Sequence, residues 1–232
     1  MSNKTILVVA AHPDDEVIGV GGTIAAHAAE GDRVFIAILA DGATVQFPGE
    51  PDKVSLKQEQ ARKVAGILGA KEVFFGTFPD QRLATIPLLE INRFLEEIAG
   101  RIKPEIVYTQ HFADLNADHR IAYEAATVAT RPFNVPSLEQ LLCYPVDTLT
   151  HAGHGSANFN VYSDISSTLE LKLEAMQVYE TELRAYPHPR SLEALRYSAQ
   201  RNGATVGLEA AEVFQSMLEV RRRQGRSQKF IA

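Results

Sequence analysis

Apolar residues in the first half of the chain come in short unbroken runs, each followed by a longer stretch with helical spacing. Residues 5–11, 33–39, 72–75 and 105–109 predict strands, and residues 17–30, 53–68, 87–102 and 121–130 predict helices. Thr85 is the candidate N-cap of the third helix, with Pro87 near its first turn. Gly31 and Gly69 stand where helix C-terminal glycines belong. This alternation implies right-handed crossovers and a parallel sheet. Runs without polar interruptions fit strands covered on both faces. The expected fold class is therefore α/β, a mostly parallel sheet with helices on both faces.

The second half is less regular. Residues 131–137 carry two prolines and read as loop, and residues 140–144 and 160–164 predict short strands. Residues 151–160, rich in Gly, Ser and Asn, predict a loop near the site. Residues 166–179 and 191–202 predict helices, joined through the stiff stretch Pro187-His188-Pro189-Arg190. Residues 209–223 look helical by composition, with 211–214 as an alternative strand. With no internal repeat, low-complexity tract or linker, a single domain over residues 1–232 is expected.

Composition narrows the function classes. At 232 residues and 45% hydrophobic, the chain can bury a sizeable core. A net charge of −6 argues against a phosphate-backbone partner, and the basic run from Arg221 reads as a solvated helix end. A lone cysteine, Cys143, excludes an internal disulfide and suits a reducing compartment. No apolar run approaches the ~20 residues of a membrane span. The expectation is a cytoplasmic protein with no nucleic-acid and no membrane partner.

The chemistry concentrates where the first strand ends, in Ala11-His12-Pro13-Asp14-Asp15-Glu16. A plain turn needs Pro and one Asp, not an imidazole and three acids. His12 and Asp15, three apart across a tight turn, can offer nitrogen and oxygen to one divalent metal. The best third ligand is His119, which follows the fourth predicted strand and can be carried beside the first loop by a parallel sheet. Asp14 is then left unliganded, free to take a proton from water and later return it to a leaving amine. Metal polarisation of a carbonyl plus water activation amounts to amide hydrolysis. Gly19, Gly21 and Gly22 do not make a dinucleotide loop, because acids occupy the turn where a pyrophosphate would sit. They read as close helix–sheet packing. His27 reads as structural, and His151 with His154 lacks a carboxylate at useful spacing for a second metal.

The stretch AHPDDE, followed by Gly-Val-Gly-Gly-Thr-Ile, resembles the signature of the PIG-L/LmbE-like family of metal-dependent de-N-acetylases. Asp118-His119-Arg120 is similar to that family's second motif. Ala40-Asp41-Gly42 resembles its turn after the second strand, and Asp164-Ile165-Ser166 with Lys172 and Tyr179 resembles a late segment. The resemblance implies a Rossmann-like sheet and a metal, usually zinc, held by His12, Asp15 and His119. Other divalent first-row metals accept the same ligands. It further implies Asp14 as general base and hydrolysis of an acetamido group on an amino sugar or a small molecule containing one. Homotrimers or homohexamers are implied as well.

The chain departs from the family in one place. Several relatives carry a histidine three residues before the last metal ligand; here that position is Asn116. Asn can donate a hydrogen bond to an oxyanion but cannot shuttle a proton at neutral pH. The acid role then falls to Asp14 alone or to another histidine, of which His188 is favoured for its stiff loop. Arg190 is a candidate for a carboxylate or phosphate on the substrate, Asp41 for substrate hydroxyls, and His111 for lining the pocket. Two other functions compete: a metal-dependent amidase for larger amides, such as thiol conjugates or antibiotic intermediates, and a sugar- or nucleotide-binding protein without turnover. The intact set His12, Asp14, Asp15 and His119 argues against the second, since binding needs no spare base.

Overall fold

Strand β1 (Thr5–Ala10) is buried along its whole length and divides its side chains between two cores. Ile6, Val8 and Ala10 face one, Leu7 and Val9 the other. This follows from the period of two along a strand, and each fully buried aliphatic side chain contributes about 1.5–3 kcal/mol. The structure, a computed structural model, describes residues 3–146 and 157–222. Its elements continue as α1 (Asp15–Ala29), β2 (Arg33–Ala40), α2 (Asp52–Leu68), β3 (Glu72–Phe78), α3 (Leu88–Ile102), β4 (Ile106–Gln110), α4 (Ala117–Ala129) and β5 (Gln140–Tyr144). The remainder is β6 (Val161–Asp164), α5 (Leu169–Val178), α6 (Leu192–Val206) and β7 (Ala211–Glu219).

These strands form one seven-stranded sheet in the order β3-β2-β1-β4-β5-β7-β6. The first five are parallel, and β7 runs antiparallel to both β5 and β6. Helices α1, α2, α5 and α6 supply one core, through residues such as Val20, Val64, Met176 and Leu195. Helices α3 and α4 supply the other, through Ile91, Leu95, Ala122 and Ala126. The expected fold class is therefore what the chain adopts. Strand order turns at β1, whose neighbours are β2 on one side and β4 on the other. A crevice opens outside the carboxyl ends of strands at such a point.

Local chemistry explains most of the boundaries. Gly69 ends α2 in the left-handed conformation at φ 78, and Gly31 follows α1 at φ 92. Thr85 is not the cap of α3: Pro87 stands at that position, and the Thr85 hydroxyl donates to the Arg82 carbonyl in a short 3-10 turn. α4 begins four residues earlier than the apolar spacing suggests, because Asn116 caps it by accepting from the Asp118 N–H at 2.9 Å. For the segment from Glu209 the helical reading is corrected and the alternative holds: a strand begins at Ala211 and runs on to Glu219. Its composition favours helix, but pairing with β5 and β6 and full burial of Phe214 override it.

Candidate metal centre

The β1–α1 turn bends sharply enough for His12 and Asp15 to meet. The Asp15 carboxylate accepts from the His12 backbone N–H at 2.9 Å, and the same oxygen lies 3.2 Å from His12 Nδ1. Between them Asp14 takes a positive φ of 117, which is costly for a residue with a Cβ. The Glu16 carboxylate holds it there by accepting the Asp14 N–H at 3.0 Å, and Tyr179 donates to the other Glu16 oxygen at 2.6 Å. Gly42 adjoins the turn: at φ 64, a Cβ on it would come within 2.4 Å of the Pro13 ring. On the far side of α1, the Tyr144 ring occupies the space a Cβ on Gly19 would take, 2.1 Å away, and its hydroxyl donates to the Val9 carbonyl at 2.8 Å.

From β4 comes the other half. His119, in the first turn of α4, places Nε2 3.4 Å from the same Asp15 oxygen that faces His12. Ligand atoms of His12, Asp15 and His119 thus lie within 4.8 Å of one another, and all three residues are buried. Gln110, the last residue of β4, donates to that Asp15 oxygen at 3.0 Å. Asp114 lies 3.3 Å from His119 Nδ1, and Asp118 and Asp80 lie 3.1 and 3.5 Å from His12 Nε2. Carboxylates behind ligating imidazoles orient them and raise their basicity.

The charge balance of this cluster fits a divalent cation. Burial works against charging His12, yet Asp118, Asp15 and Asp80 together push its ring up to about 10. His119 is pushed up to about 9, with burial again opposed by Asp15 and Asp114. Asp15 is held well below the usual carboxylate range by the two imidazoles, against its own burial. A metal ion supplies the positive charge these carboxylates draw in, using the imidazole nitrogens as donors instead of proton carriers. The second Asp15 oxygen is buried without a hydrogen-bond partner. Asp14 differs: burial raises it well above the usual range, and the Arg190 guanidinium only partly offsets that. Burial likewise pushes Glu16 up to about 7, against the Tyr179 hydrogen bond.

A cavity of about 320 Å³ opens onto this centre, lined in part by His12, Asp14, Asp80, Gln81, Asn116 and Arg190. The structure thus brings together His12, Asp14, Asp15, His119, Asn116 and Arg190. It does not bring the other candidates to the cavity. His111 is fully buried, its Nε2 2.8 Å from Gln215 Oε1 and its ring stacked on Phe112. His188 is exposed, and its Nδ1 accepts from the Arg190 backbone N–H at 3.1 Å. Asp41 caps its own turn, accepting from the N–H groups of Ala43 and Thr44 at 2.9 Å each. His151 and His154 lie outside the described residues. A second group, His27, Glu30 and Asp32, sits at the other end of α1, where His27 already contacts Asp32 at 2.8 Å and the Tyr108 hydroxyl at 3.0 Å.

Sequence reasoning missed Gln110 and Asp80, and also Glu182, which lines the cavity, with Lys57 hydrogen-bonded to it. Gln110 and Asp80 carry a usable signal, since each stands at or just past the carboxyl end of a parallel strand. Glu182 and Lys57 carry none, being 125 residues apart on elements remote from the motif.

Comparison with known proteins places this geometry. A 4-oxalmesaconate hydratase from Pseudomonas putida is 34% identical over 137 residues, 54% of this chain and 51% of that protein. A diacetylchitobiose deacetylase from Thermococcus kodakarensis is 29% identical over 195 residues, 77% of this chain and 70% of that protein. A conserved protein from Thermus thermophilus is similar in structure, with a TM-score of 0.76 and 26% identity, covering 97% of this chain and 100% of that one. The model of the PIG-L family, described as GlcNAc-PI de-N-acetylase, matches residues 7–130, the stretch that carries all three clustered ligands and Asp14. This chain belongs to the PIG-L family of de-N-acetylases.

Proposed function

We propose that the chain is a zinc-dependent hydrolase that removes the N-acetyl group from an amino sugar or an amino-sugar-containing small molecule. One observation carries the reading: a buried His–Asp–His set stands beside an acid, Asp14, that lines the cavity and is not part of the set. Its family and the diacetylchitobiose deacetylase relative support the same reaction class. His12, Asp15 and His119 are the residues to hold the metal, with Gln110 and Asp114 orienting Asp15 and His119. Bound there, a divalent cation polarises the amide carbonyl and lowers the pKa of water.

Asp14 takes the proton from the attacking water and passes it to the departing amine. Its buried, up-shifted carboxyl suits both halves of that exchange better than an ordinary aspartate. Asn116 assists at the developing oxyanion. Capping α4 uses its Oδ1, which leaves Nδ2 directed toward Gln81, 3.4 Å away on the cavity wall. With His188 exposed and engaged with its own loop, the acid role falls, among the described residues, to Asp14.

The test is acetate release from N-acetylglucosamine and N,N′-diacetylchitobiose by zinc-loaded protein, with Asp14→Asn as control. Release by the wild type and not by the variant is the expected result; none from any N-acetylated sugar overturns the reading. A second reading rests on the hydratase relative and on Arg190 at the cavity, a group suited to a substrate carboxylate. In it the same centre adds water to an unsaturated polycarboxylic acid. Loss of that acid's ultraviolet absorbance, without acetate release, distinguishes the two.

A further inference from the structure

Asp14 faces a guanidinium that is not aimed at it. Arg190 Nη1 lies 3.1 Å from Asp14 Oδ2 and 3.2 Å from Glu182 Oε2. Only the second contact has hydrogen-bond geometry, and Asp14 Oδ2 is buried without a hydrogen-bond partner. Among the described residues, Glu182 therefore takes the hydrogen bond from Arg190 Nη1. Glu182 is itself braced from behind: its other oxygen receives a short hydrogen bond from Lys57 Nζ, which also donates to Thr181 Oγ1 at 2.8 Å. Lys57 is buried on α2 and does not line the cavity. Four charges of alternating sign thus run from α2, through the segment after α5, to the loop before α6 and the β1–α1 turn.

An arginine that donated directly to the base would occupy one of the carboxylate lone pairs with which the base can take a proton. One held only beside it supplies charge and leaves that lone pair open. We propose that Glu182, braced by Lys57, is a positioning residue that draws the Arg190 N–H onto itself, so that the guanidinium steadies Asp14 without hydrogen-bonding to its Oδ2. The role assigned to Asp14 comes from the hydrolase reading above; the placement of Arg190 by Glu182 does not depend on it.

Either single substitution strands a buried charge and can simply unfold the protein, so the test removes both charges at once. Lys57→Met with Glu182→Gln keeps an acceptor oxygen for Arg190; Lys57→Met with Glu182→Leu removes it. Both are compared with wild type in the zinc-loaded enzyme, using N,N′-diacetylchitobiose. The Gln pair is expected to keep kcat within a few-fold, while the Leu pair loses about 10-fold or more in kcat with KM nearly unchanged, as a small misplacement at a reacting group does. The two pairs should melt within a few degrees of each other. Independently of turnover, Arg190 in the Leu pair should react several-fold faster with phenylglyoxal, read by mass spectrometry, with Arg131 as the unchanged reference. Equal kcat in the two pairs, or a loss confined to KM, overturns the positioning role. An unchanged Arg190 reaction rate overturns it even if the wild type releases no acetate from the probe.

Discussion

Strands β1 and β4 end in metal-site residues, whereas the antiparallel strand β7 ends in none and yet reaches into α1 from behind. Glu212 on β7 accepts from the Gly22 and Thr23 N–H groups in the middle of that helix at 2.9 and 2.8 Å. Lys172 on α5 donates to Glu212 at 2.6 Å and to the Ile18 carbonyl at 2.8 Å. The parallel half thus supplies donors through short turns between neighbouring elements, and the antiparallel edge supplies bracing through ion pairs between distant ones. Chemistry comes from the centre of the sheet and rigidity from its antiparallel side, so substitutions in the two should fail differently.

The largest effect is expected in the parallel half. His119→Ala removes a ligand and should abolish stoichiometric zinc binding and measurable turnover; elemental analysis after gel filtration and the acetate assay check both. Asp14→Asn should lower kcat about 10²–10⁴-fold with zinc content and melting temperature retained. Lys172→Met belongs to the other half. It leaves Glu212 buried and uncompensated, which should cost about 3–5 kcal/mol in chemical denaturation. Turnover per folded molecule should hardly change. If it fell as far as in Asp14→Asn, the division between the two regions would be broken.

Zinc affinity should also depend on pH in a fixed direction. In the metal-free protein His12 and His119 hold protons up to about 10 and about 9, and those protons must leave for the nitrogens to bind metal. Affinity measured by competition with a chelator should therefore rise with pH through the neutral range and level off toward pH 10. The smallest effect is Tyr144→Phe, which removes one buried hydrogen bond to Val9 and should cost about 1 kcal/mol without touching turnover.

The same contrast decides what the sequence could reveal. His12, Asp14 and Asp15 are near-contiguous and His119 opens a helix after a strand, so a parallel sheet made their convergence readable. Asp80 and Gln110 were readable by the same logic applied to β3 and β4. His111 shows the limit of that logic: a residue just past a strand end can turn either way, and this one turns under Gln215, away from the cleft. Glu182 and Lys57 acquire meaning only once α2 and the segment after α5 pack together. Residues 211–219 defeat a helical reading by composition because pairing with β5 on one side and β6 on the other makes them a strand.

The positive φ at Asp14 has a consequence for how this protein can change. A glycine there would adopt the same backbone at no steric cost, and it would remove a carboxyl that burial disfavours in its charged form. Asp14→Gly should therefore yield a dead protein that survives heating better than the active one. The acid that does the chemistry is then a standing thermodynamic liability, kept only by selection for turnover.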